Sequence, residues 1–478
     1  MLATKKNIDF TGGKVLSKII QFVLPIVATN LLQMFYNAAD MMVVSLSSEA
    51  NAVGAIGTTG SFINLIVNIF IGFSVGANVV VAREIGADDR ARTQSAVHTS
   101  LIMALLFGLC GAAIGLIVTR PVLQLMGNSG NLLDLAVAYT MIYFAGVPFL
   151  ALTNYLIAIF RAKGDAKTPL FVLTGTGLLN VGLNFFFVLV TGLSVEGVAL
   201  ATVMSNVVSV VVLLIKLHAD QDYTTFSFKS LKMDWRSFKK IVFIGLPAGI
   251  QGALFSLSNM LIQSSVVSVN NAVSPGTEYQ PIVNGSAAAA NLEGFVYTAM
   301  NAVYQGAITF TSQNMGAGKP HRIKRIMYSC FLVTAIIGIL MAGIVIVFKE
   351  PLLSLYGIVS GEEGSLEALA MNAAVTRCWY ICAPYFLCGM MEVCTGVLRG
   401  LGRSLTSTFI SLVGACLLRI VWIMTVFRLS PTLETIFVSY PVTWLITTLC
   451  AYIIINVLLK KILKSHEKTP SETACITA

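Results

Sequence analysis

Asp40 lies close to the far end of an apolar run, LPIVATNLLQMFYNAADMMVV (residues 24–44), long enough to cross a bilayer. Counting back by helical intervals, Asn37, Tyr36 and Gln33 fall at i−3, i−4 and i−7, on the same face. Lipid cannot satisfy such a stripe, so it must face protein or a wet cavity. Helix-packing glue would account for the amides. It accounts poorly for the acid, because an Asp at a helix centre costs ~2.5–3.5 kcal/mol on insertion scales, less toward the helix end. The chemistry expected of Asp40 is uptake of a small cation or a proton, with Gln33, Tyr36 and Asn37 placed to touch a bound solute.

Partners for that carboxylate are sought in nearby apolar segments. Asn180 and Asn184 sit four apart in LLNVGLNFFF, Asn154 lies in the fourth segment, and Thr202, Ser205 and Asn206 lie in the sixth. Amide and hydroxyl oxygens around a carboxylate suit a proton network or a hard cation such as Na⁺. Taken singly, each residue could equally be interhelical glue. Two more acids fall in apolar segments of the second half: Glu293 in ANLEGFVYTAMNAVYQG and Glu392 in CGMMEVCTGVLRG. Tyr297, Met300, Asn301 and Tyr304 follow Glu293 along its face, while Met390, Met391 and Tyr385 neighbour Glu392. Carboxylates beside rings and thioethers suit flat organic cations, so Glu293, Tyr297, Asn301, Glu392 and Met391 are expected to contact substrate. The competing expectation is that one of these acids pairs with Arg419, itself within a span.

The elements that must position these groups are transmembrane helices. The chain is 478 residues long, 56% hydrophobic and only 11% charged, with a mean hydropathy of +0.82, which predicts an all-α polytopic membrane protein. Twelve spans are expected at about 16–45, 52–82, 94–119, 135–160, 169–190, 195–216, 239–269, 285–314, 324–348, 368–398, 406–428 and 434–459. With the N-terminus inside, only Arg120, Lys349 and Arg428 of the 31 Lys and Arg fall in outside loops, and Arg377 and Arg419 fall within spans. That asymmetry predicts cytoplasmic termini. The net charge of +9 is then a topology signal with some attraction to anionic lipid, not a mark of nucleic-acid binding.

The chain also repeats. GLPAGIQGALFSLSNMLIQSS aligns with the first span at an offset of 222, bringing Pro247 onto Pro25 and Asn259 onto Asn37. GANVVVAREIGADD matches GAITFTSQNMGAGK at 230, and FRAKGDAKT matches LRGLGRSLT at 238. Two parallel six-helix lobes follow: 1–216, a cytoplasmic linker at 217–238, 239–460, and a cytoplasmic tail at 461–478. This symmetry suits transporters that move two lobes around a central site. Ile262 stands where the repeat would carry a second Asp40, so the carboxylate belongs to the first lobe only. Pro25 and Pro247 are candidate hinges.

Eight of nine cysteines lie in apolar segments, without zinc spacing, and read as small buried hydrophobes. No cleavable leader is expected. No catalytic or nucleotide-binding motif occurs, which argues against an enzyme or an ATP-driven pump and implies no cofactor beyond a coupling ion.

The twelve spans, together with LPIVATNLLQMFYNAADMMVV, VVVAREIGADDRARTQSAVHTS, FRAKGDAKTP, TFTSQNMGAGKPHRIKR and VLRGLGRS, resemble the multidrug and toxic compound extrusion (MATE) family over about residues 15–460. The resemblance implies an H⁺- or Na⁺-coupled antiporter of a bacterial inner membrane, exporting cationic or amphiphilic compounds, with two lobes around a V-shaped cleft. A monomer is expected. The resemblance aligns Asp40 with the family's first-helix acid, Asn180 with the Asn of its fifth-helix N-x-x-x-D pattern, and Thr202 with a sixth-helix Thr of the same cation cluster. Asn184 departs from it, standing where those members have Asp, so one anionic ligand is lost. A lipid-linked sugar flippase of the same superfamily and an ion channel are the alternatives. The former would favour intramembrane Arg and Lys; the latter would show a filter-like segment.

Overall fold

The structure, a computed structural model, describes residues 8–47, 49, 51–220, 222, 224–227, 231–275, 279–362 and 364–473. Residues 221, 223 and 228–230 of the expected linker, and 474–478 of the expected tail, lie outside the described residues. The helices are α1 (Val15–Val44), α2 (Ala52–Gly86), α3 (Arg90–Leu125), α4 (Gly130–Ala162), α5 (Lys167–Phe185), α6 (Val195–Ala219), α7 (Trp235–Val273) and α8 (Pro281–Gly316). They continue with α9 (Ile323–Val347), α10 (Lys349–Ser354), α11 (Leu366–Arg377), α12 (Phe386–Gly400), α13 (Ser404–Ser411), α14 (Leu418–Met424), α15 (Val426–Leu429) and α16 (Leu433–Thr473). No strand occurs among the described residues.

Among the described residues, ten helical stretches are long and apolar enough to cross a membrane, and the pair Leu366–Cys382 and Phe386–Gly400, bent by 44°, makes an eleventh. The remaining expected span, α8, is 36 residues long but carries Asn291, Glu293, Asn301 and Gln305, which lower its apolar character. The chain forms two compact units, one of Met1–Gly12 and Leu24–Ala253, the other of Gly13–Val23 and Leu254–Ala478. The described residues of the expected linker 217–238 therefore lie within the first unit, its ends belonging to α6 and α7, and the change between units falls inside α1 and α7.

Packing explains this. Inside a bilayer, apolar burial drives helix association weakly, so small residues and close backbone approach carry it. Gly249 of α7 meets Gly72 of α2 so closely that a Cβ on Gly72 would strike the Gly249 backbone. That binds the first half of α7 into the first unit. In the second unit, Phe22 at the start of α1 packs edge-on against Phe310 of α8 at 6.0 Å. Pro25 and Pro247 sit inside helices that run through them unbroken. The 44° bend instead falls beside Pro384, after a π-helical turn at Cys378–Cys382.

In the first unit, α4 packs against α2, α3 and α6, around Phe62, Phe70, Phe144, Val147 and Ala151. In the second, α8 packs against α9, α11 and α12, and α12 against α16. The motif FRAKGDAKTP is a helix junction: Asp165 accepts the backbone N–H of Thr168 at 2.9 Å and its hydroxyl at 2.6 Å, capping α5. Lys163 beside it is ion-paired to Asp220 and Asp222 of the loop after α6.

Candidate functional site

In the first unit, α1, α5 and α6 bring four of the expected residues into one hydrogen-bonded chain. Asn184 donates its amide to Asp40 Oδ1 at 2.5 Å, and the same nitrogen lies 3.4 Å from Asn180 Oδ1. Asn180 in turn donates to Thr202 Oγ1 at 3.4 Å, and Thr202 donates to its own helix at the Val198 carbonyl, 3.0 Å away. Asn184 is fully buried, yet its side-chain oxygen has no partner among the described residues. Asp40 is half-buried and makes no ion pair among the described residues. A carboxylate facing donors on one side, next to an orphaned buried acceptor, is chemically incomplete. A proton on Asp40 or a small cation beside it would supply what the acceptor lacks.

Tyr36 fixes the angle at which α1 meets α5. Its ring lies where a Cβ on Gly177 would sit, and its hydroxyl donates to the Thr174 carbonyl at 3.2 Å. Tyr36, expected to contact substrate, is half-buried here and packs against α5. Gln33 and Asn37 are exposed, and neither bonds to another described residue. Asn154, expected in the coupling set, donates to the Leu150 carbonyl of its own helix at 2.9 Å and is not joined to the Asp40 chain. Two residues that sequence reasoning missed complete the surroundings. Tyr139 and Tyr143 of α4, stacked at 6.2 Å, both lie within electrostatic reach of Asp40. Their i, i+4 spacing in AYTMIYFAG was the signal.

The second unit separates its two acids. Glu293 is held by Arg377 in a two-point ion pair, Nε to Oε1 at 2.6 Å and Nη2 to Oε2 at 3.0 Å. Arg377 also donates to Ser286 at 2.9 Å and faces the Phe437 ring. Both charges are buried. Glu293 is therefore corrected from a free substrate carboxylate to half of a neutral pair bridging α8 and α11. Its partner is not Arg419, which lies against the Tyr440 ring at 3.9 Å and donates to Thr443 at 3.3 Å. Met391 is corrected as well, being 2% exposed within the apolar core.

Glu392 remains. It is half-buried, makes no hydrogen bond or ion pair among the described residues, and lies within electrostatic reach of Tyr297, Tyr304 and Arg399. Arg399 is bonded to the Tyr304 hydroxyl. Tyr297 is 38% exposed, with Asn301 donating to its hydroxyl at 3.4 Å. An acid beside an accessible ring thus survives from the expected set.

Comparison with known proteins follows the same lines. The family model MatE matches residues 25–186 and 247–425, the two halves of the repeat. A probable multidrug resistance protein of Bacillus subtilis, YoeA, is 28% identical over 402 residues, covering 82% of each chain. The multidrug export protein MepA of Staphylococcus aureus is 22% identical over 453 residues, covering 93% of this chain and 95% of its own. A solved structure of a multidrug resistance MATE family transporter of the MOP superfamily aligns with a TM-score of 0.86 at 18% identity, over 97% of this chain and all of that one.

Proposed function

Because the chain belongs to the MatE family, we propose that it is a cation-coupled antiporter that exports cationic or amphiphilic organic compounds, with Asp40 as the group that takes up the coupling ion. One observation carries this reading: Asp40 is held by a neutral amide, and that amide's own oxygen is buried without a partner among the described residues. A structural carboxylate would be paired, as Glu293 is with Arg377.

The proton is the better-supported coupling ion. With Asn184 in place of a second acid, the cluster holds one negative charge, and an N–H already occupies one of its oxygens. One proton neutralises Asp40; Na⁺ would need several oxygens turned toward it. In the proposed cycle the gradient loads Asp40 from outside, and loading changes the contact of α1 with α5. That change favours the state that releases cargo outward. The membrane potential adds ~2.3 kcal/mol per charge per 100 mV, enough to bias a two-state protein. Glu392, with Tyr297 and Asn301, supplies a negative charge and a ring face for a cationic cargo. The names of the multidrug relatives agree with such cargo, and the Lys and Arg asymmetry supports a cytoplasmic side for both termini.

A lipid-linked sugar flippase would need intramembrane cations free for a pyrophosphate. Arg377 is taken by Glu293, and Arg419 lies against Tyr440.

The test is counterflow of an ethidium-like dye in proteoliposomes under an imposed H⁺ or Na⁺ gradient. A pH gradient should drive transport in the wild type. Asp40→Asn should abolish that drive while the protein still elutes as a folded species. Undiminished gradient-driven transport in Asp40→Asn would remove Asp40 from the mechanism.

A further inference from the structure

The N-terminal end of α9 carries a feature that the transport cycle does not use. His321, Lys324, Arg325, Tyr328, Ser329 and Leu332 recur at i, i+3, i+4, i+7, i+8 and i+11 and line an open groove of about 490 Å³. Lys324 and Arg325 are exposed, and no acid pairs with them among the described residues. One turn further on, the Tyr328 hydroxyl meets that of Tyr452 on α16 at 2.6 Å, and Tyr452 lies within electrostatic reach of Lys324. Beyond the tyrosines the exposed face turns aliphatic: Leu332 is 49% exposed, Ile336 50% and Leu340 60%. Along one helix, then, the surface runs from cationic to phenolic to apolar.

The repeat explains why the groove is open. At the offset of 230, Tyr328 and Ser329 match His98 and Thr99 of α3. There a loop covers the face. The backbone N–H of Asp234 donates to Thr99 Oγ1 at 2.9 Å, that of Ser227 to His98 Nε2 at 3.4 Å, and Phe226 packs edge-on against His98. Among the described residues, no loop does the same for Tyr328 and Ser329.

The geometry points to a binding site for an anionic phospholipid. The phosphodiester sits at Lys324 and Arg325, with the Tyr328–Tyr452 pair at headgroup depth and an acyl chain along Leu332 and Ile336. Basic pockets beside transmembrane helices select anionic headgroups, and tyrosines settle at the interface. A free phosphate would use the cations but not the aliphatic ridge that continues from them. A lipid uses both.

The experiment titrates the intact, detergent-purified protein with phosphatidylglycerol and follows bound lipid by native mass spectrometry. Wild type should bind phosphatidylglycerol well above phosphatidylcholine, and millimolar inorganic phosphate should not displace it. Lys324→Gln/Arg325→Gln should weaken binding roughly tenfold or more. The charge-preserving Lys324→Arg/Arg325→Lys should retain it. Leu332→Glu, on an exposed face with the basic pair intact, should also weaken it, which keeps the test decisive if the double Gln variant fails to fold. Equal binding of phosphatidylcholine, displacement by phosphate, or full binding by Leu332→Glu would each overturn the site. An acidic peptide that displaces the lipid while phosphatidylglycerol shows no selectivity would reassign the groove to a protein partner.

Discussion

Asn184 gives its amide N–H to Asp40 at 2.5 Å and keeps a buried oxygen that no described residue satisfies. An unmet acceptor of this kind costs about 1–3 kcal/mol. A proton on Asp40 turns one of its oxygens from acceptor to donor, which changes what the Asn184 amide must offer it. Under the proposed cycle, the Tyr36 ring seated on Gly177 is the contact through which α1 and α5 meet beside Asp40.

Asn184→Asp should change the ion requirement. A second carboxylate beside Asp40 would restore an anionic oxygen and favour a cation shared between two acids. The expected outcome is Na⁺-stimulated dye transport and measurable ²²Na⁺ binding in the variant, against none in the wild type. Na⁺ stimulation already present in the wild type would displace the proton as its coupling ion. Asn184→Leu, which removes donor and acceptor together, should slow gradient-driven transport at least roughly tenfold, as expected when a hydrogen bond to a charged group is lost.

The Glu293–Arg377 pair makes a different prediction. Removing one member leaves a buried charge without its counterion, at a cost of about 3–5 kcal/mol. Glu293→Gln or Arg377→Met alone should lower the melting temperature in detergent and reduce yield. Glu293→Gln/Arg377→Met should recover most of the loss and retain dye transport. Loss of transport in a well-folded double variant would return Glu293 to the substrate site.

What the sequence disclosed follows from what periodicity can carry. Apolar run length revealed the helices, and two ordered sets of matching motifs revealed the halves. The i, i+4 spacing of Asn180 and Asn184 put both on the face that meets Asp40. Pairings across distant helices were not legible. Glu293 and Arg377 are 84 residues apart, and nothing in either segment says that α8 lies against α11. Rotation about a helix axis was only half legible: Met391 follows Met390 and precedes Glu392, yet it points into the core while Glu392 is only half-buried. Proline marks where a helix can kink, but neighbours decide whether it does, and α1 and α7 pass through Pro25 and Pro247 unbroken.

Asp234 offers a stability test outside the membrane segments. Its carboxylate accepts the Ser237 N–H at 2.8 Å and hydroxyl at 2.6 Å, capping α7, and the Ser237 hydroxyl foremost holds it below the usual carboxylate range. A lowered folded-state pKa means the cap contributes fully above the unfolded value of about 4 and fades as pH falls through the lowered value. Asp234→Ala should therefore cost about 0.5–2 kcal/mol at neutral pH, and the gap from wild type should close in strong acid. A thermal-shift series across pH checks both points. A gap that widens toward acid would contradict the assignment.

Glu392 should govern which compounds are carried, not whether the ion drives them. Of Glu293 and Glu392, it is the one that makes no ion pair among the described residues, and Tyr297, within its electrostatic reach, presents an accessible ring. A carboxylate and a ring face together discriminate by charge, since both attract a cation and neither gains from a neutral solute of the same shape. Glu392→Gln keeps size and hydrogen bonding and removes only the charge. The expected result is a KM for a monocationic dye raised roughly tenfold, the effect of about 1.4 kcal/mol. The KM for a neutral amphiphile should stay near that of wild type, and the pH gradient should still drive both. Tyr297→Leu should raise the cation's KM in the same sense, and the two substitutions together should be less than additive, because ring and charge act on the same ligand atom. Equal losses for charged and neutral cargo would make Glu392 a structural residue of α12, and an unchanged cation KM would move substrate recognition elsewhere in the chain.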